Sequence, residues 1–275
     1  MEAIASAPGK VILFGEHAVV YGRPAIAVPV AGIRAWVTVE SSPGPILIRA
    51  QDIGREFRLE EAERDDPLRL AVELAFSRLK PEMAGGLTVT IRSEIPIARG
   101  MGSGAAVSTA IVKALAAYFG RKLDPEEVSA VVYEVEKIYH GTPSGIDNTV
   151  IAYEMPVFFV KGQKPAPFRV GRPFTLLIGD TGIPSPTRDV VLWVRRRWEE
   201  DKARYEELFN RIGDVVLAGK EAIERGDLKR VGELMDENHR LLMEVGVSSP
   251  ELDRLVGEAR EAGALGAKLS GAGWG

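Results

Sequence analysis

One glycine-rich segment limits what this chain can fold into. Residues 96–106 read Pro-Ile-Ala-Arg-Gly-Met-Gly-Ser-Gly-Ala-Ala, with three glycines within five residues. Glycines permit tight turns and allow backbone N–H groups to approach an anion closely. An amphipathic helix pattern follows at once, and a helix N-terminus adds unpaired N–H donors and the positive end of a dipole. The segment therefore indicates a phosphate-binding loop; a glycine-rich turn capped by Ser103 is the alternative.

Two widespread phosphate-binding patterns do not describe this loop. A P-loop requires Gly-x-x-x-x-Gly-Lys-Ser/Thr, and the sequence contains no such run. The letters of a dinucleotide fingerprint are present at Gly100, Gly102 and Ala105. However, Pro96 and Arg99 stand where a buried parallel strand should lead into the first glycine. The context thus argues against a dinucleotide-binding fold.

Two other segments place chemically active side chains beside predicted turns. In residues 7–22, Lys10 begins a short apolar strand, and Glu16 and His17 follow at its far end. In residues 136–149, Glu136 lies at the edge of a helix's apolar face, and Asp147 follows a Pro-Ser-Gly turn. Taken singly, these residues are equally compatible with a surface lysine, a turn histidine and solvated acids. Their grouping is what suggests an active site.

Composition excludes several classes of function. The 275 residues include no cysteine, which excludes disulfide scaffolds, thiol nucleophiles and thiolate metal sites. A net charge of −4 offers no general basic field, so we expect no nucleic-acid partner. The N-terminus lacks a signal pattern and no run of 18 apolar residues occurs, so we expect no membrane segment and a cytoplasmic location.

The order of predicted elements is that of an α+β protein with two domains. Short strand patterns dominate the first hundred residues, interrupted by a helix at 67–79. The strands are predicted at 11–14, 33–40, 46–48, 56–59, 87–91, 157–160 and 174–178. The later helices are predicted at 104–119, 125–140, 188–201, 205–225, 228–245 and 250–262. A Pro- and Gly-rich segment at 163–173 is the predicted linker, and it divides the chain into domains at 1–165 and 166–275.

The three motif segments together resemble the GHMP kinases, and most closely the archaeal-like mevalonate kinases among them. Residues 8–22 are similar to the first motif of that branch, where galactokinases instead carry an Asn-Leu-Ile-Gly-Glu-His-Thr-Asp run. Residues 96–106 resemble the family's Pro-x-x-x-Gly-Leu-Gly-Ser-Ser-Ala-Ala loop, and residues 268–273 its third motif. The resemblance implies an N-terminal ribosomal-protein-S5-like domain with a left-handed β-α-β phosphate unit. It also implies a C-terminal ferredoxin-like α/β domain, with the active site between the domains.

By this resemblance the chain is an ATP- and Mg²⁺-dependent kinase of mevalonate in isoprenoid biosynthesis, and a homodimer. Asp147 would accept the hydroxyl proton with Lys10 beside it, while Ser103 and Glu136 would hold Mg²⁺. The residues expected at the substrate are Glu16, His17, Ser144, Thr187 and Arg188. Those expected at the nucleotide are Pro96, Gly100, Gly102, Ser103, Gly104, Ala105, Ala106, Gly271 and Gly273. The alternatives are a related kinase of phosphomevalonate, homoserine or a sugar, and a non-catalytic regulator that binds a nucleotide or metabolite.

The sequence departs from the family pattern at two places. Gly104 replaces the usual second serine of the loop. One of the two serine hydroxyls normally helps to hold Mg²⁺ in the family, so this ligand is in question. The chain also ends at Gly275, inside the third motif, where the family continues with at least one strand. We therefore expect it to be truncated at its C-terminus.

Overall fold

A computed structural model describes residues 2–83, 85–97, 99–140, 143–185 and 187–275. Its strands are β1 (Glu2–Phe14), β2 (Ala25–Ser42), β3 (Leu47–Ala50), β4 (Arg55–Arg58), β5 (Gly86–Ser93), β6 (Val157–Phe159) and β7 (Ala166–Pro167). Its helices are α1 (Pro67–Leu79), α2 (Ser103–Tyr118), α3 (Pro125–His140), α4 (Ile146–Tyr153), α5 (Thr187–Glu200), α6 (Lys202–Arg225), α7 (Leu228–Val245) and α8 (Pro250–Glu261). Short 3₁₀ turns lie at 18–21, 51–53 and 59–61.

The chain forms two compact units, each assembled from several stretches of sequence. The first unit comprises Met1–Lys10, Pro29–Pro96 and Gly102–Glu154. The second comprises Val11–Val28, Ile97–Met101 and Met155–Gly275. The first motif and the glycine-rich loop are therefore each divided between the units, at positions 10–11 and 101–102.

A mixed sheet and four helices build the first unit. Its strands follow the order β4-β3-β5-β2, with β1 also paired to β2. β3 runs parallel to β5, and β2 antiparallel to it. Alternate residues of β2 and β5, such as Val37, Val39 and Val89, are fully buried, as the period of two in a strand requires. Helices α1, α2 and α3 pack together, and α4 packs on α2 and α3.

Side-chain caps explain where several helices begin. The Asp66 carboxylate accepts the backbone N–H groups of Leu68 and Arg69 at the start of α1. Asp124 and Glu127 accept each other's backbone N–H at the start of α3. These carboxylates satisfy N–H groups that have no partner within the helix. The helix predicted to begin at residue 125 therefore begins where Asp124 caps it.

The second unit is mainly helical. Residues 25–27 of β2 pair with β6, and β6 pairs with β7. Helices α6 and α7 pack on each other, and Ser249 caps α8 as predicted. Phe14 is fully buried against Gly219 of α6. Within the described residues, no helix combines the length and the apolar character that crossing a membrane requires.

The α+β fold class is confirmed, but one predicted strand is wrong and one helix was not predicted. Residues 174–178 form no strand, and Leu177 is 93% exposed, because in the described part of the chain no neighbouring strand pairs with this segment. The predicted linker at 163–173 contains β7, so it is not purely a linker. α4 was not predicted, since the Pro-Ser-Gly sequence before it indicates a turn that continues as a loop. The end of α3 was predicted next to Gly141, which lies outside the described residues.

The contact between Phe14 and Gly219 yields a test of packing. A Cβ at position 219 would lie 2.9 Å from the ring of Phe14, whereas a Cβ at Gly257 in α8 would have no neighbour within 4 Å. Gly219→Ala should therefore lower the free energy of unfolding by about 1–3 kcal/mol. Gly257→Ala should raise it by about 0.5–1 kcal/mol, because alanine favours the helix. Urea denaturation of both variants checks the opposite signs, and equal stability of the two would contradict this packing.

Candidate active site

The glycine-rich loop ends in a left-handed turn at the start of α2. Gly102 is the N-cap residue with φ 71°, and Ser103 is the first residue of the helix. The alternative in which Ser103 caps the helix is therefore wrong. Ala106 donates its backbone N–H to Gly102 O at 2.9 Å. Helix geometry leaves the N–H groups of residues 103–105 without acceptors inside the helix, so the loop is chemically suited to an anion.

Other loop residues predicted to contact the nucleotide have different environments. Ala105 and Ala106 are buried, so in this state their side chains face the core of the first unit. Pro96 is exposed. Gly100 has φ 69°, a left-handed conformation that favours glycine. The nucleotide contacts of these residues stay predictions.

An ion pair joins β1 to α4 beside this loop. Lys10 Nζ lies 2.9 Å from Asp147 Oδ1, and the lysine side chain is 6% exposed. Asp147 occupies the first turn of α4, behind Gly145 with φ 87°. A Cβ at Gly102 would lie 3.1 Å from Lys10 Cγ and 3.3 Å from Asp147 Oδ2. The backbone of the loop therefore approaches both members of the pair, and a side chain at this position would crowd them.

A second carboxylate, that of Glu136 in α3, lies near the pair. Glu136 is 6% exposed, and a Cβ at Gly104 would lie 3.7 Å from its Oε1. Burial first, and then the charge of Asp147, raise the pKa of Glu136 to about 7, against the opposing charge of Lys10. Two carboxylates and one ammonium thus share a poorly solvated region of the first unit.

The donors at this place fit a magnesium ion. Mg²⁺ prefers oxygen ligands, and a cation would favour the ionised form of a carboxylate that burial penalises. Across the described residues, no cluster of three or more His, Cys, Asp or Glu side chains could hold a metal. Mg²⁺ usually takes one or two carboxylates together with water and phosphate oxygens, so a single buried carboxylate such as Glu136 is compatible with it.

Glu16 and His17 lie in the second unit with buried side chains. Glu16 forms an ion pair with Lys268, and Asn238 Nδ2 donates to Glu16 Oε2 at 3.3 Å. Burial raises the pKa of Glu16 and lowers that of Lys268, while their mutual attraction opposes both shifts. His17 Nε2 lies 2.8 Å from Ala272 O, and burial lowers the pKa of its imidazole.

The remaining predicted residues are distributed over both units. Ser144 is half-buried in the first unit, and its Oγ accepts the N–H of Ile146 at 3.4 Å. Thr187 and Arg188 are exposed at the first turn of α5 in the second unit. Gly271 and Gly273 have φ 93° and 91°. A Cβ at Gly273 would lie 1.9 Å from Val247 O, so no other residue fits there.

Asn238 and Lys268 were missed as site residues by sequence reasoning. Lys268 stands beside two apolar residues in the run 267–269, and a lysine that is drawn into the core requires a counter-charge. That requirement gives a usable signal for Lys268. Asn238 lies in an ordinary amphipathic helix pattern, and nothing in its position points to Glu16, 222 residues away.

Family models match both parts of the chain. The GHMP kinases N terminal domain matches residues 68–154, and the GHMP kinases C terminal model matches residues 220–275. A mevalonate kinase of Thermococcus sibiricus is 39% identical, with 100% of this chain and 87% of that protein covered. The chain belongs to the GHMP kinase family, in its mevalonate kinase branch. It is therefore a kinase, and its α+β fold is that of the family.

Solved structures of the family agree with this assignment. The Methanococcus jannaschii mevalonate kinase has a TM-score of 0.82 and 26% identity, covering 99% of this chain and 88% of that one. The L. major mevalonate kinase in complex with R-mevalonate has a TM-score of 0.80 and 31% identity, covering 100% and 85%. The range matched by the N-terminal family model includes the loop that surrounds Gly102.

The space around Gly102 can be tested by a single methyl group. Gly102→Ala should lower turnover about tenfold, because the added methyl group has to shift Lys10 and Asp147 slightly and reactive geometry is sensitive to such shifts. Gly120→Ala is the matched control, since Gly120 has a similar φ of 64° but nothing within 4 Å of its Cβ position. Both variants should lose comparable stability, about 1 kcal/mol, from the left-handed conformation. Steady-state kinetics would contradict the crowded geometry if both variants turned over substrate equally well.

Proposed function

We propose that the chain transfers the γ-phosphoryl group of ATP to the primary hydroxyl of (R)-mevalonate, giving (R)-5-phosphomevalonate. The observation that carries the proposal is the Lys10–Asp147 pair at 2.9 Å, against which Gly102 of the phosphate loop lies. Phosphoryl transfer depends mainly on positioning and on neutralising charge. A carboxylate, an ammonium and unpaired N–H donors in one place supply both.

Asp147 is assigned as the base that accepts the hydroxyl proton. Its side chain is 31% exposed, so substrate can approach it, whereas Lys10 is almost wholly buried. The neighbouring ammonium stabilises the developing alkoxide of the substrate.

Glu136 and Ser103 are assigned to Mg²⁺, which when bound neutralises the charge of the nucleotide phosphates. Gly104 leaves the place beside Glu136 without the hydroxyl that the family's second serine would provide. We propose that Ser103 Oγ and water complete the protein side of this site. The nucleotide phosphates are assigned to the N–H groups of residues 103–105.

Arg188 and Thr187 are assigned to the substrate together with Ser144. A guanidinium can hold the mevalonate carboxylate through two parallel hydrogen bonds, and Arg188 is exposed at the start of a helix. As the family resemblance implies, we propose that the working form is a cytoplasmic homodimer. Light scattering during size-exclusion chromatography tests the dimer.

A substrate panel separates the candidate activities. A coupled assay of ADP release with mevalonate, phosphomevalonate, homoserine and galactose should show turnover with mevalonate above the others. If only phosphomevalonate, homoserine or galactose is turned over, the chain is a GHMP kinase with that substrate instead of mevalonate. Nucleotide binding without turnover of any substrate would favour the regulator.

Removal of the proposed base gives the next prediction. Asp147→Asn should lower kcat by about 10²–10⁴-fold, the usual contribution of general base catalysis, with ATP affinity close to that of the wild type. Asp124→Asn is the control, because asparagine also caps a helix well and Asp124 lies at the start of α3 in the same unit. Full activity of the Asp147 variant in steady-state assays would refute this assignment.

The metal assignment is tested by titration with Mg²⁺. Glu136→Gln should raise the Mg²⁺ concentration needed for half-maximal activity, because an amide binds the cation more weakly than a carboxylate. Glu134→Gln removes an exposed charge from the same helix, where Glu134 pairs with Lys137, and should leave the titration unchanged. Identical titrations for the two variants would remove Glu136 from the metal site.

A further inference from the structure

The helix that carries Asp147 ends on a residue with an unusual backbone. Glu154 is the C-cap of α4, with φ 51° and ψ 33°, and it donates its backbone N–H to Val150 O at 3.0 Å. This left-handed conformation favours glycine, and α6 and α7 end in it on Gly226 and Gly246. The reason for a glutamate at this position therefore lies in its side chain.

The carboxylate of Glu154 binds two cations from two different elements. Arg34 Nη2 of β2 donates to Glu154 Oε2 at 2.7 Å, and Lys113 Nζ of α2 donates to Glu154 Oε1 at 2.6 Å. Burial alone would raise the pKa of Glu154, but the hydrogen bonds from Lys113 and Arg34 outweigh it and lower this pKa below its ordinary value. The carboxylate is therefore ionised at neutral pH.

Arg34 extends these contacts to the strand that carries Lys10. Its Nε donates to Ser6 Oγ at 2.9 Å, while its Nη2 reaches Glu154. Ser6 and Lys10 lie four residues apart in β1, about 13 Å along the strand. Asp147 and Glu154 lie seven residues apart, about two helical turns or 10 Å. β1 and α4 are thus joined at two separate points, by the Lys10–Asp147 pair and by the chain of contacts from Ser6 through Arg34 to Glu154.

Two points of attachment fix an orientation that one leaves free. A single ion pair between a strand and a helix sets a distance, but the helix can still pivot about it. A second contact at the far end of the helix removes that freedom, and reactive side chains need such support to keep their geometry. Lys113 adds a connection to α2, the helix that begins at the glycine-rich loop.

We infer that Glu154 is a positioning residue for the proposed reaction. By binding both cations it fixes the orientation of α4, and so the place of the Asp147 carboxylate beside Lys10. The inference rests on the proposed function, in which Asp147 is the base. Glu154 acts through the helix and not by contact with the reacting atoms.

Stability alone does not account for this glutamate. Ion pairs between groups that water still reaches contribute little to the free energy of unfolding, and the side chains of Glu154, Arg34 and Lys113 are 35%, 21% and 24% exposed. Glycine at this position would also remove the strain of the left-handed conformation. A strained residue that adds little stability is expected where local geometry matters for function.

Replacement of Glu154 by glycine separates positioning from stability. Glu154→Gly removes the carboxylate but relieves the backbone, so its urea midpoint should stay close to that of the wild type. We expect kcat to fall about three- to tenfold, because reactive geometry is sensitive to small displacements, while ATP affinity and the KM for mevalonate change little. Lys80→Gly is the matched control and should leave kcat unchanged. Lys80 ends α1 with φ 46°, and its side chain forms no ion pair within the described residues.

A double-mutant cycle with the proposed base distinguishes positioning from a general structural effect. If Glu154 acts through Asp147, Glu154→Gly should lower kcat little further once Asp147→Asn is present, since effects of residues that act as a unit are not additive. Losses of kcat that multiply in the double variant would overturn the inference.

A milder variant keeps the inference testable if Glu154→Gly does not fold. Ser6→Ala removes only the hydroxyl that Arg34 Nε meets, and it should lower kcat in the same direction by a smaller factor. Ser77→Ala is its control, because Ser77 donates to the carbonyl of Glu73 in its own helix. Circular dichroism confirms folding of each variant before kinetics are measured.

The outcomes separate the inference from the proposed function. Wild-type kcat in both Glu154→Gly and Ser6→Ala would overturn the inference and leave the proposed function intact. If the wild type phosphorylates another substrate of the panel instead of mevalonate, the proposed substrate fails, while a lower kcat of Glu154→Gly with that substrate still supports positioning.

Discussion

The burial of Lys10 is the constraint on which the rest of the first unit depends. An ammonium that is removed from water requires a counter-charge, and Asp147 provides it at 2.9 Å. Because Asp147 lies in the first turn of α4, the pair fixes that helix relative to β1. Glycine is then favoured at position 102, since a side chain there would crowd both members of the pair. One electrostatic requirement therefore constrains a helix position and the choice of residue in the glycine-rich loop.

The same region brings a second carboxylate close to the Lys10–Asp147 pair. Glu136 adds a second carboxylate, and its raised pKa shows that the environment penalises its ionised form. A site of this kind is favourable for a cation and, with the N–H groups of α2 nearby in sequence, for the phosphates that accompany it. The electrostatics of these side chains thus connect the geometry of the first unit with the chemistry of a kinase.

Local rules predicted the elements whose ends are set by local chemistry. The bounds of α1 and α7 follow from Asp66 with Pro67, from Asp227 and from Gly246, all adjacent in sequence. The strand predicted at 174–178 failed because apolar alternation cannot reveal whether a partner strand is present. α4 was missed because Gly145 begins a helix here, although Pro-Ser-Gly commonly indicates a loop.

In the candidate site, too, local sequence patterns do not predict which residues that are far apart in the chain will pair. The pairing of Lys10 with Asp147 was expected from the family resemblance, and the structure contains it. The partners of Glu16 were not expected, because they lie 222 and 252 residues away and no local pattern encodes them. Burial adds a rule that sequence reasoning can use: two charged residues inside apolar motifs at opposite ends of a chain are candidates for each other's counter-charge.

The first motif is divided between the two units, and its second part also stabilises the second unit. Residues 11–28 belong to the second unit, whose other residues lie mostly after 155. Without them, Lys268 would be buried without Glu16, and the surface of α6 at Gly219 would lose Phe14. A fragment cut at the linker would therefore expose apolar surface and leave an unpaired charge, each of which is costly. The second unit requires residues from the first motif and from the third, and residues 10 and 11 link its assembly to that of the Lys10–Asp147 ion pair.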